Sequence, residues 1–150
     1  MKAFTLIELM VTIVVVLVLS GTSIPAFLKF NKTQTIDSDS RQIISELNKN
    51  RSLASNLVYP SGCVHLSGYE VKSDVDLTGF VVSAKCFPSD VISASPNLLK
   101  SSKFLNAVDI TFNSGSGYLD SGTETLVTIV NNDDTETRKT ITVSVYGSSF

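Results

Sequence analysis

From Leu9 to Leu28 the chain carries no charged residue. A helix of about 20 apolar residues covers the roughly 30 Å hydrocarbon core of a bilayer. Val and Ile are mediocre helix formers in water. In lipid, however, the backbone must satisfy its own hydrogen bonds, so the run is expected to be helical. Gly21 and Pro25 fall late in it, and a proline there frees a carbonyl and is expected to bend the helix. Directly in front stands Glu8. A carboxylate beside such a run is costly unless a partner neutralises it. Only Lys2 and the chain start are ionisable nearby. A plain membrane anchor accounts for the apolar run. So does a secretory signal peptide with Lys2 as its basic region and a cut after Ser23 or Ala26. Neither accounts for Glu8.

The stretch Phe4-Thr5-Leu6-Ile7-Glu8-Leu9-Met10 resembles the cleavage and methylation motif of type IV prepilins and type II secretion pseudopilins. The resemblance implies cleavage by a prepilin peptidase between Ala3 and Phe4, and methylation of the new Phe4 amine. The family usually has glycine where this chain has Ala3. Assembly into a helical filament with other pilins or pseudopilins is implied, through an inner-membrane platform. Glu8 would then pair with the terminal amine of a neighbouring subunit. Inside a dry filament core that pair fixes axial register, because any other register leaves a charge unpaired. The implied location is the inner membrane, single-pass, with a cytoplasmic N-terminus and the head outside, and then the filament. Lys2 favours that orientation, while Lys29 and Lys32 dilute the signal.

Beyond the apolar run, Ile36, Ile43, Ile44, Leu47, Ala54 and Leu57 recur near helical spacing, which predicts an amphipathic continuation. Asp37, Asp39, Arg41, Gln42, Glu46, Asn48, Lys49 and Arg51 form the expected wet back. Tyr59-Pro60-Ser61-Gly62 is expected to stop the helix, which would run Phe4–Asn56. After Gly62 the pattern changes to period two. Candidate strands are Cys63–Val71, Leu77–Phe87, Ala107–Phe112, Glu124–Val130 and Lys139–Tyr146. Turns are expected at Asn113–Gly117 and Asn131–Asp134, and a loop at Ser89–Ser102. The fold class is therefore α+β and pilin-like: a long N-terminal helix, transmembrane in its first half, packed on an antiparallel β head. The expected divisions are a leader 1–3, a transmembrane or filament-core helix 4–28, its amphipathic continuation 29–58, and a head 59–150.

A hairpin turning at Ser73–Asp76 sets Lys72 opposite Leu77 and Cys63 opposite Cys86, close enough for a disulfide. The alternative is two buried thiols. A bridge is permitted if the head leaves the cytoplasm.

The chain further resembles the H-type minor pseudopilins and the fimbrial T and U minor pilins. The similarity is carried by Ser40–Leu47 running into Arg51-Ser52-Leu53-Ala54, by Asp109-Ile110-Thr111-Phe112 before Gly117, and by Ile141–Gly147. Some T-type relatives bind DNA through basic residues near the C-terminus. Here Gly147-Ser148-Ser149-Phe150 has none, and Asp133, Asp134 and Glu136 offset Arg138 and Lys139. Phosphate binding needs clustered positive charge, and the formal net charge is -2. DNA uptake, and a secreted β-rich binding module, are the alternatives to a structural filament subunit. No enzyme is expected: His65 has no nucleophile or ligand set at useful spacing. The Asn131–Glu136 acids lack EF-hand spacing, no phosphate loop or nucleophile elbow is present, and no metal or cofactor is expected.

Overall fold

A computed structural model describes residues 5–92 and 97–150, of which 20–26 and 92 by backbone alone. The chain divides into two compact units, Met1–Gln34 and Thr35–Phe150. Helix α1 spans Leu6–Ser55, within two residues of the expected bounds. The strands are β1 (His65–Ser73), β2 (Gly79–Phe87), β3 (Val91–Ile92), β4 (Asn97–Leu98), β5 (Ser102–Phe104), β6 (Asp109–Asn113), β7 (Thr125–Asn131) and β8 (Arg138–Val143). The fold is mixed helix and antiparallel sheet.

Thr5 caps the start of α1: its hydroxyl accepts the Glu8 amide N–H at 3.3 Å. Thr5-Leu6-Ile7-Glu8 thus has the spacing of a capping box. An acidic residue in the first turn also suits the positive end of the helix dipole. At the other end, Leu57 takes a left-handed φ of 51° and the Val58 amide reaches back to the Leu53 carbonyl at 3.0 Å. This is the six-to-one bond of a Schellman cap, with leucine where glycine is usual. The cap directs Leu57 outward, so it is 48% exposed rather than part of the inward stripe.

In the second unit, one sheet runs β3-β2-β1-β6, with β4 also paired to β2, and the other runs β5-β7-β8. Alternation along β2 buries Phe80, Val82, Ala84 and Cys86. These meet Tyr69 and Val71 of β1, Phe112 of β6, and Ile129, Ile141 and Val143 of the second sheet in one core, which Ile36, Ile43, Leu47 and Ala54 of α1 join. Phe80 and Phe104 meet edge to face at 6.3 Å. The expected loop 89–102 carries β3 and β4 along the outer edge of β2, and β5 begins at Ser102. The last strand ends at Val143, not Tyr146, because the chain turns at Gly147 and Phe150 pairs back onto Thr142.

The first hairpin differs in register. Lys72 pairs with Val81, and Leu66 rather than Cys63 lies opposite Cys86. The connection is longer than expected: the Asp74 amide donates to the Gly79 carbonyl at 2.9 Å, and Leu77 takes a φ of 61°. A bulge between Leu66 and Gly68 then shifts the ladder once more. Cys63 and Cys86 form a disulfide with Cα atoms 5.4 Å apart. Cys63 reaches Cys86 from the segment before β1, where the Val64 amide donates to the Phe87 carbonyl.

Candidate functional site

Ala3 and Phe4 lie outside the described residues. Glu8 is exposed on the first turn of α1. Behind it, every large apolar side chain from Leu6 to Leu19 is at least 50% exposed, as are Phe27, Leu28 and Phe30. An amphipathic helix hides one stripe; this stretch shows greasy side chains on all sides. Soluble chains rarely leave such a surface uncovered. The Thr12 hydroxyl turns back to the Leu9 carbonyl at 2.8 Å, so the polar group in this stretch is satisfied within the helix. Among the described residues no helix is long and apolar enough to cross a membrane. The uncharged run Leu9–Leu28 includes residues 20–26, described by backbone alone.

Within the head unit, the helical residues grip the sheets through polar groups that the stripe conceals. Asp39, expected on the wet back, is 1% exposed. Its carboxylate accepts the Ser102 hydroxyl at 2.6 Å, the Ser101 amide at 3.2 Å and the Lys100 amide at 3.4 Å. Asn50, also buried, donates to the Glu46 carbonyl at 2.7 Å. A 3.6-residue period that runs through Ile36, Ile43, Leu47 and Ala54 passes through positions 39–40 and 50 as well. The spacing held the signal, and polarity concealed it. Asp37 does face outward and meets Lys139 of β8 at 2.6 Å. That hydrogen bond and charge hold the Asp37 carboxyl below its ordinary value of 3.8. The Tyr69 hydroxyl donates to the Val58 carbonyl at 2.9 Å, fastening the end of the helix to β1, and burial pushes its phenol above the ordinary range.

His65 is exposed at the start of β1. In the β7–β8 turn the acidic groups are used locally: Asp134 accepts the Glu136 amide and the Thr137 hydroxyl. Among the described residues no group of three His, Cys, Asp or Glu side chains is placed to hold a metal.

The outward face of β1, β2 and β6 holds an open cleft of about 670 Å³. On β1, Gly68 lies so close to β6 that a Cβ would collide with the Phe112 carbonyl. On the cleft wall Lys85 meets Glu70 at 2.9 Å and Asp90 at 3.4 Å. The hydrogen bond that the Lys85 ammonium donates to Glu70, aided by both carboxylate charges, holds its pKa above the ordinary value despite partial desolvation. The cleft depends on which strands are neighbours, so no local pattern in the sequence marks it.

A long helix whose second half packs against antiparallel sheets in a head, after a first half with its apolar surface laid bare, defines the type IV pilin-like fold. In particular, the chain is similar to crystal structures of the type IV minor pilin FimU from Pseudomonas aeruginosa strain PAO1. In one crystal form the TM-score is 0.57, with 19% identity over 81% of this chain and 90% of that one. In another the TM-score is 0.54, with 19% identity over 76% and 90%. No protein-family model matches the chain, and no curated protein matches it by sequence.

Proposed function

We propose that the chain is a structural, minor subunit of a type IV pilus or type II secretion pseudopilus. It is held in the inner membrane by α1 before assembly and joined to neighbouring pilins through α1 afterwards. The carrying observation is the stretch Leu6–Leu19, apolar and exposed on every side, behind a capped turn that bears Glu8. Such a surface calls for lipid or other helices around it. Extraction from the membrane is then an exchange of one apolar surrounding for another. The likeness to a minor pilin supports the same reading. A prepilin peptidase and an assembly platform are its partners, the Ala3–Phe4 bond its processing site, and the divisions 1–3, 4–28, 29–58 and 59–150 its working parts. The role is non-enzymatic.

The capping-box spacing offers the Glu8 side chain a second role as helix starter, so the test must separate the two. Gln at this position keeps the capping-box pattern but removes the charge. If Glu8 pairs with a neighbour's amine, Glu8→Gln leaves a membrane-inserted helical subunit that no longer enters filaments, and Glu8→Ala behaves alike. Filament incorporation of Glu8→Gln at wild-type yield would overturn the register role. N-terminal sequencing tests processing: a mature chain starting at methylated Phe4 supports the reading, and a start near Thr22–Phe27 assigns the chain to secreted binding modules instead.

A further inference from the structure

We propose that the cleft across the outward face of β1, β2 and β6 docks an extended, basic segment of a partner polypeptide. The inference stands on the head alone and does not depend on the filament reading.

Glu70, Asp90, Asp109 and Asp120 line the cleft, against Lys85. Lys72 stands beside Asp109 at 3.4 Å. Four carboxylates against two ammonium groups leave the face negative. Asp120 joins no ion pair among the described residues, so its charge is free to meet a partner. The face thus complements a cation and repels phosphate or nucleic acid.

Shape adds to charge. The cleft is open, so it suits a chain laid along it rather than a compact ligand enclosed on all sides. From the β2 margin, where Asp90 lies, across β1 and β6 to the segment beyond β6, where the Asp120 amide bonds to the Thr111 carbonyl, is three strand spacings, about 14 Å. Basic side chains four residues apart on an extended segment share one face and span about the same distance, roughly 13 Å. Phe87, 69% exposed on the rim, presents an uncovered aromatic face on which a guanidinium can stack.

The test uses the full chain in dodecylmaltoside micelles. The probe is a fluorescein-labelled peptide, Ser-Arg-Gly-Ser-Gly-Arg-Ser, read by fluorescence anisotropy, with a Glu-for-Arg version as counter-probe. The arginine peptide is expected to bind, and to be released near 1 M salt, where charges are screened beyond about 3 Å. Asp120→Asn should weaken binding several-fold, and Phe87→Ala should weaken it again. Asp109→Lys combined with Asp120→Lys leaves two carboxylates against four ammonium groups and should reverse the preference toward the glutamate peptide, a gain that misfolding does not produce. The proposal is overturned if both peptides bind the wild type equally, or if the Asp109→Lys, Asp120→Lys double variant keeps the wild-type preference. It is also overturned if neither peptide binds.

Discussion

Asp37 and Asp39 are two residues apart on one helix, and their replacement by alanine should have very different consequences. The Asp39 carboxylate is 1% exposed and accepts three hydrogen bonds, of which those from the Ser102 hydroxyl and the Ser101 amide are short enough to count fully. A hydrogen bond to a charged group contributes about 1.5–3 kcal/mol net, and a buried donor left alone costs about 1–3 kcal/mol. Ser102 is fully buried and cannot turn to water, whereas Lys100 is exposed and its amide can. Asp39→Ala should therefore cost about 3–4 kcal/mol. That is a large part of the 5–15 kcal/mol that holds a typical domain together. Asp39→Asn keeps one acceptor oxygen and should cost about half as much. Asp37→Ala removes an exposed pair and should cost about 1 kcal/mol or less. Urea unfolding of the full chain in micelles measures this. All four tyrosines (Tyr59, Tyr69, Tyr118 and Tyr146) follow the apolar helix and the chain has no tryptophan, so tyrosine emission reports on the head. A loss for Asp39→Ala no greater than for Asp37→Ala would refute the clamp.

Replacing Cys63 and Cys86 together by serine should destabilise the head by about 3 kcal/mol, since the bridge closes a separation of 23 residues; the same urea titration checks it. Gly147→Ala should cost more than about 1 kcal/mol, because φ is +78° and a Cβ would lie 2.9 Å from the Arg51 Cδ and overlap the Gly117 carbonyl; the melting temperature should fall. The Asp37–Lys139 pair should add a small pH dependence. The Asp37 carboxyl is lowered in the folded state, so its contribution is present above 3.8 and lost as the pH falls through the depressed folded value. Stability measured from pH 6 down to pH 2 should therefore decline slightly less in Lys139→Ala than in wild type.

The unbroken apolar run, the helix bounds and five of the strands were legible because each is a local pattern with its own period. Glu8 was legible as an anomaly, and Thr5 three residues before it also spells a helix start. Period two tells which residues face inward but is blind to a slide by two or four. Lys72 pairing with Val81 instead of Leu77 keeps every inward residue inward, so only the turn at Asp74 and the bulge after Leu66 could choose. The disulfide forms in a register other than the one that suggested it.

What the residues settle alone is what each segment must hide: the front of α1 has no polar face to offer water, and the head has a core's worth of alternating apolar positions. The folded head settles which polar groups are hidden with them. Asp39 is buried because Ser101 and Ser102, more than sixty residues on, return to supply its hydrogen bonds. The acidic cleft exists because β6 comes to lie beside β1. Burial of a charge and the shape of a cleft depend on neighbours distant in the chain, and only tertiary packing brings those together.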